Sequence, residues 1–205
     1  EFARTNFKQT NAGSETLSDE FKVLNLINAY RKRGHLFTKT NPVHPRRQYT
    51  PTLALANFSL SEKDLDKTFH AGKEIGIGTA TLRTIIEHLR QTYCQSVGAE
   101  FVYIRQPEIV EWLTKRMESL KNRIEFNNEQ KSDIFKILVK TVGFEQFLHK
   151  KFVGQKRFSL EGAESLIPAL GYAIEHGVDM GIKEFIIGNS HRGRLNILAN
   201  VFKKP

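Results

Sequence analysis

With one cysteine, Cys94, in 205 residues, the sequence has no internal disulfide framework and suits a reducing compartment. It also lacks any apolar run near the roughly 20 residues that carry a helix across a bilayer, so the expectation is a soluble intracellular protein with no membrane partner. No Cys, His or carboxylate spacing marks a metal site, and His35 and His44 read as surface or hydrogen-bonded residues. The glycines at 72, 76 and 78 have no apolar strand before them and no Gly-Lys-Ser/Thr after them. Thr81 stands where a dinucleotide turn has its third small residue, and Gly72 to Gly78 reads as a flexible connection. The chain opens on Glu1 without a charged leader and stops soon after a last helix begins, so truncation at both ends is expected.

What is present is 40% hydrophobic residues, 15 of them Phe, which is the composition of a globular protein. The net charge of +9 is spread over short clusters at 31–33, 46–47, 150–151, 156–157, 192–194 and 203–204. No single basic stripe forms, and no glycine and aromatic pattern of an RNA-binding sheet occurs. Acidic small molecules or an acidic protein are the better partners, and nucleic acid is not expected.

Residues 1–17 are polar and small and read as a mobile lead-in. Ser18-Asp19-Glu20 supply a cap and an acidic first turn for a helix whose apolar stripe is Val23, Leu26, Ile27 and Tyr30. Arg31 to Arg33 occupy its last turn and Gly34 stops it. Pro42, Pro45 and Pro51 punctuate an irregular segment from His35 to Thr52. Ser61 to Asp64 start a short helix carrying Leu65, and Leu82, Ile85, Ile86, Leu89 and Tyr93 share one face of a longer one. Pro107 opens a helix with Ile109, Trp112, Leu113 and Met117 inward. Asn128 and Glu129 begin another through Ile134, Phe135, Leu138 and Val142, stopped by Gly143, with Phe144, Phe147, Leu148 and Phe152 in a neighbour. After Gly154 a helix ending near His176-Gly177 and an apolar strand, Phe185 to Ile187, read as the start of an α/β unit.

That strand leads to Gly188-Asn189-Ser190-His191-Arg192-Gly193-Arg194-Leu195, a glycine turn followed by Leu195, Leu198, Ala199 and Phe202 at helical spacing. A turn at the carboxyl end of a strand is where open α/β sheets bind ligands, and the helix after it offers unpaired N–H groups to an anion. On spacing alone, a plain connection with its arginines in water stands equally open.

With Lys-Arg-Phe-Ser-Leu-Glu-Gly at 156–162 and His-Arg-Gly-Arg-Leu-Asn at 191–196, the chain resembles the N-terminal part of the E1 component of the 2-oxoglutarate dehydrogenase complex, a thiamine diphosphate enzyme of the tricarboxylic acid cycle. Leu26 to Arg31, Arg33-Gly34-His35, Gln91 to Cys94 and Gly98 to Phe101 match in the same order. The resemblance implies a mixed fold: an all-helical N-terminal domain at 18–120, then at 121–205 the beginning of the first α/β thiamine-diphosphate-binding domain, cut short. It implies decarboxylation of 2-oxoglutarate and transfer of the succinyl group to the lipoyl group of the E2 succinyltransferase. The complex would also include E3, and the full-length E1 would be a homodimer in the cytoplasm of a bacterium or in the mitochondrial matrix.

The resemblance places His191 beside the substrate as the catalytic and substrate-binding histidine, Phe158 in the wall of the same pocket, and Arg192 near the cofactor diphosphate, with Arg194 in structural pairs. Two positions depart from the family wording. Asn189-Ser190 precede His191 where a methionine and a small or proline residue are common, and Ala163 follows Gly162 where a second glycine or small residue is usual. Both bear on substrate preference, so a 2-oxoadipate dehydrogenase E1 or a free-standing 2-oxoglutarate decarboxylase stays open. An inert helical module that docks on E2 is the alternative from another class. The Gly-Asp-Gly segment that holds Mg2+ and the glutamate that activates the cofactor are absent, so these residues alone are expected to be inactive.

Overall fold

A computed structural model describes residues 11–41, 43–44 and 52–204, with side chains from residue 17 onward. Pro42, Pro45, Pro51, the Arg46-Arg47 cluster and residues 1–10 of the lead-in lie outside the described residues. The chain divides into two compact units, one running to Ile124 and the other from Glu125 to Pro205.

In the first unit α1 spans Asn11–Arg33. It begins seven residues before the Ser18 cap signal, and 11–17, read as lead-in, is helical. A cap residue favours a helix start without compelling one, and nothing at 11–17 is a proline. Val23, Leu26, Ile27 and Tyr30 of α1 pack against Leu82, Ile85, Ile86, Leu89 and Tyr93 of α2 (Leu82–Tyr93). Each fully buried Leu or Ile in this core stabilises the fold by about 1.5–3 kcal/mol. Just past α1, Gly34 packs against the end of α2, where a Cβ would stand 2.5 Å from Tyr93 Cβ. Gly34 does follow the last residue of α1, but it opens a 3-10 turn, Gly34–Phe37, and what it supplies is room for Tyr93.

The glycines at 72, 76 and 78 are not a flexible connection. They belong to a small antiparallel pair, β1 (Thr68–Phe69) with β2 (Ala80–Thr81), around a 3-10 helix at His70–Ile75. Glu20 of α1 caps that helix, accepting from the N–H of His70 at 2.7 Å and of Ala71 at 2.8 Å. Gly72 is required there because a Cβ would lie 2.3 Å from the carbonyl oxygen of Gly78. Ser61 and Asp64 form a reciprocal capping box on the expected short helix, a 3-10 turn at Glu62–Asp64.

α3 (Pro107–Leu120) turns inward only part of the face the spacing suggests. Ile109 and Trp112 are 45% and 64% exposed, whereas Val110, Leu113 and Met117 pack on the core. The register is set by Glu118, which is buried. Its carboxylate accepts from Arg31 Nε at 2.8 Å, Arg31 Nη2 at 2.9 Å and Tyr93 Oη at 2.7 Å, tying α1, α2 and α3 at one point. Burial, with Glu118 beside it, pushes the Tyr93 hydroxyl well above its ordinary pKa. Burial likewise raises the Cys94 thiol to about 11, which leaves it protonated and inert.

The second unit is built on α4 (Asn128–Lys151) and α5 (Leu166–Asp179). Asn127 and Gln130 form a capping box at the start of α4, and the helix runs through Gly143 without stopping. A helix interior tolerates a lone glycine at a cost of about 1 kcal/mol, and the apolar residues on both sides keep one continuous period. The buried core here is small: Leu160, Ile167 and Ile197, with Ile137, Ala163, Leu170 and Val201 against them. Phe135, Val139, Val142 and Phe147 of α4 remain exposed.

The expected strand at Phe185 to Ile187 does not form, and no strand lies in the described residues of this unit. Phe185 instead folds back on α5, its ring so close to Gly177 that a Cβ there would sit 2.7 Å from Cζ. A strand needs a neighbour to receive its backbone hydrogen bonds, and none is at hand, so Ile186 is left 93% exposed.

Candidate functional site

The site grows from two positions one helical turn apart on α4, Thr141 and Glu145, both buried. A buried carboxylate is costly unless it is paired and its lone pairs are filled. Glu145 meets that demand from two directions. Arg157 Nη1 donates to Oε2 at 2.7 Å, while Oε1 accepts from the Leu160 N–H at 3.2 Å and from Asn196 Nδ2 at 3.0 Å. Asn196 Nδ2 also donates to the Thr141 carbonyl at 3.0 Å. One carboxylate thereby holds the 157–160 loop and the start of the last helical turn, Arg194–Asn196.

Those two segments are clasped directly as well. The Gly193 N–H donates to the Phe158 carbonyl at 2.8 Å, and Arg192 Nη2 donates to the Glu161 carbonyl at 2.7 Å. Gly193 has φ +73°, and a Cβ on it would lie 2.4 Å from Leu160 Cδ1. Only glycine fits both the left-handed backbone and the contact.

The clasp sets His191 against Phe158. Their rings stack with centroids 5.2 Å apart at an interplanar angle of 28°. Lys156 Nζ lies 5.5 Å from the Phe158 ring centroid, within cation-π range. His191 and Arg192 are exposed and Phe158 is 51% exposed, so the two rings and their cations form an accessible edge. Such an edge can grip a carboxylate or diphosphate oxygen through its cations and its imidazole.

The structure brings together the three residues singled out from sequence, His191, Phe158 and Arg192. Two of the N–H groups at this turn are engaged internally, Gly193 with Phe158 and Arg194 with the His191 carbonyl at 3.3 Å. Arg194 has no ion pair among the described residues and is exposed, where water solvates its charge. Glu145, Asn196 and Arg157 were missed as a set. A carboxylate on an otherwise amphipathic helix carries no spacing signal that it points inward; only the 12 residues to Arg157 and 51 to Asn196, closed by the fold, reveal it.

For thiamine diphosphate the donor set fits in part. Arg192 and Lys156 beside an imidazole suit a diphosphate or a carboxylate. Among the described residues no group of three or more His, Cys, Asp or Glu could hold a metal ion.

Sequence comparison finds the chain similar, along nearly all its length, to proteins named 2-oxoglutarate dehydrogenase or 2-oxoglutarate dehydrogenase E1 component. It is 39% identical over 197 residues to the 2-oxoglutarate dehydrogenase E1 component of Azotobacter vinelandii, 95% of this chain and 21% of that protein. The mitochondrial 2-oxoglutarate dehydrogenase of Caenorhabditis elegans is 37% identical over 204 residues, 96% of this chain and 20% of that protein. For the Brucella canis E1 component the identity is 35% over 195 residues, 94% of this chain and 19% of that protein. The chain thus spans about a fifth of the length of the curated relatives it matches. No protein-family model matches it. No helix among the described residues is long and apolar enough to cross a membrane.

Proposed function

We propose that this chain is a segment of a 2-oxoglutarate dehydrogenase E1 and that the edge formed by His191, Phe158 and Arg192 is one wall of its active site. The observation that carries the reading is the stack of His191 on Phe158, two residues 33 positions apart that lie in the two motifs of the resemblance. In this reading His191 holds a carboxylate of 2-oxoglutarate or moves a proton at the reacting carbon. Phe158 supplies an apolar wall that keeps water off that carbon and lowers the local dielectric. Arg192, oriented by the Glu161 carbonyl, neutralises an oxygen of the cofactor diphosphate. Thiamine diphosphate, when bound, supplies the carbanion that adds to the keto group. The ligands of its magnesium and the carboxylate that activates it would be supplied by residues other than those described here.

Transfer of the succinyl group to E2, assembly with E3 and a homodimeric E1 belong to the same proposal. So does the location, cytoplasmic in a bacterium or in the mitochondrial matrix. The test is His191→Ala in the intact enzyme that carries this segment. Loss of a proton-transfer or carboxylate-binding group should lower kcat/KM for 2-oxoglutarate by roughly a hundredfold or more, with the melting temperature unchanged because the side chain is exposed. Turnover like the wild type would sink the assignment.

A further inference from the structure

A buried charge that bridges two segments is a costly way to hold a loop, because each ion loses its hydration and regains it only through good geometry. Glu145 is 4% exposed, and all the partners it gathers come from the two segments that carry the stacked rings. Arg157 and Leu160 flank Phe158 on either side. Asn196 lies five residues after His191, joined to it through the turn that Gly193 clasps to the Phe158 carbonyl. Moving this carboxylate moves both ends of the ring pair.

A purely structural need would be met by apolar contact, as it is at Leu160, Ile167 and Ile197 nearby. The ion pair adds direction. Arg157 Nη1 points into the helix and its Nη2 reaches Glu161 Oε1 at 3.6 Å. The Glu161 carbonyl in turn takes Arg192 Nη2 at 2.7 Å. The chain of contacts from Glu145 therefore ends on Arg192 as well as on the two rings.

We infer that Glu145 is a positioning residue: through Arg157, Leu160 and Asn196 it sets the separation of Phe158 and His191 and the aim of Arg192. This inference rests on the E1 reading for its catalytic consequence, though not for its geometry. Glu145 touches neither substrate nor cofactor and acts through His191 and its neighbours.

The experiment is Glu145→Gln in the intact enzyme, alone and combined with His191→Ala. Glutamine keeps the shape and an acceptor for Leu160 and Asn196 but removes the charge that orients Arg157. The single variant should lose roughly tenfold to a hundredfold in kcat/KM, the scale of a small misplacement of reacting groups. In the His191→Ala background the same change should cost clearly less than in the wild type, because one of the groups it positions is gone while Phe158 and Arg192 remain. Equal costs in both backgrounds, or no cost in the wild type, would overturn the inference and leave Glu145 a stability residue or a bystander. A crystal structure of the variant with the Phe158 and His191 centroids still 5.2 Å apart would overturn it equally, whatever the activity. Failure of the E1 reading is a separate outcome, seen as a His191→Ala enzyme that turns over 2-oxoglutarate normally. If Glu145→Gln does not fold, Arg157→Lys serves in its place, keeping the charge and losing the guanidinium fork.

Discussion

At the scale of single residues, position in the sequence reveals a side chain's chemistry but not its surroundings. His88 is an example in the first unit. It lies on α2, where the spacing of Leu82, Ile85 and Leu89 is plain, yet it is itself buried, and its Nε2 has no hydrogen-bond partner. Burial first, and then the Lys121 ammonium, hold its pKa below the ordinary 6.5. The folded state therefore prefers the neutral ring, and the unfolded chain binds the proton more readily. Stability from this group is full above pH 6.5 and is lost as pH falls through that value towards the folded pKa. Thermal unfolding followed from pH 8 to pH 5 should show a decline below about pH 6.5 that is smaller in His88→Gln. Identical profiles for the two proteins would contradict the assignment. His191, by contrast, stands in a motif local enough to single out from sequence, a short run with two arginines and a glycine turn. Glu145 carries no such mark, since its partners Arg157 and Asn196 arrive from elsewhere.

At the scale of elements, the helices were largely readable and their ends and faces less so. The stripes of α1 and α2 predicted the first core correctly because each has four or five large apolar residues in one period. For α3, Leu113 and Met117 pack inward as the spacing suggests, while Ile109 and Trp112 stay exposed because the buried Glu118 draws the helix round to Arg31 and Tyr93. The strand at Phe185 to Ile187 was read from hydrophobicity, which reports a wish to be buried and says nothing of whether a pairing edge exists. Gly72 shows the opposite error, a glycine taken for looseness that is there for tightness. Gly72→Ala should push β2 away from the 3-10 helix and destabilise the first unit by about 1–3 kcal/mol, measured by urea unfolding, because the atom in the way is backbone. A change under a few tenths of a kcal/mol would mean the hairpin shifts freely.

At the scale of the whole molecule, the two units differ in how much they bury. Among the described residues the first has a core of fifteen buried apolar residues and the second has three, with four large apolar side chains of α4 left open. Between them, residues 121–127 form no helix or strand, and Lys121, Asn122 and Arg123 are not buried. Brief trypsin digestion of the chain should cut first after Lys121 or Arg123, giving two fragments by mass spectrometry, since cleavage needs backbone that can leave its setting locally. First cuts inside α2 or α4 would count against the division. The clasp of Leu160 on Gly193 also limits how such a protein could change over generations. Leu160 can be trimmed one substitution at a time, leaving a small void and a protein that still folds. Enlarging Gly193 stays costly even after that, because its left-handed backbone penalises a side chain there. Inheritance at this pair runs one way, and a lineage that wished to reshape the pocket would have to do so from the side of residue 160.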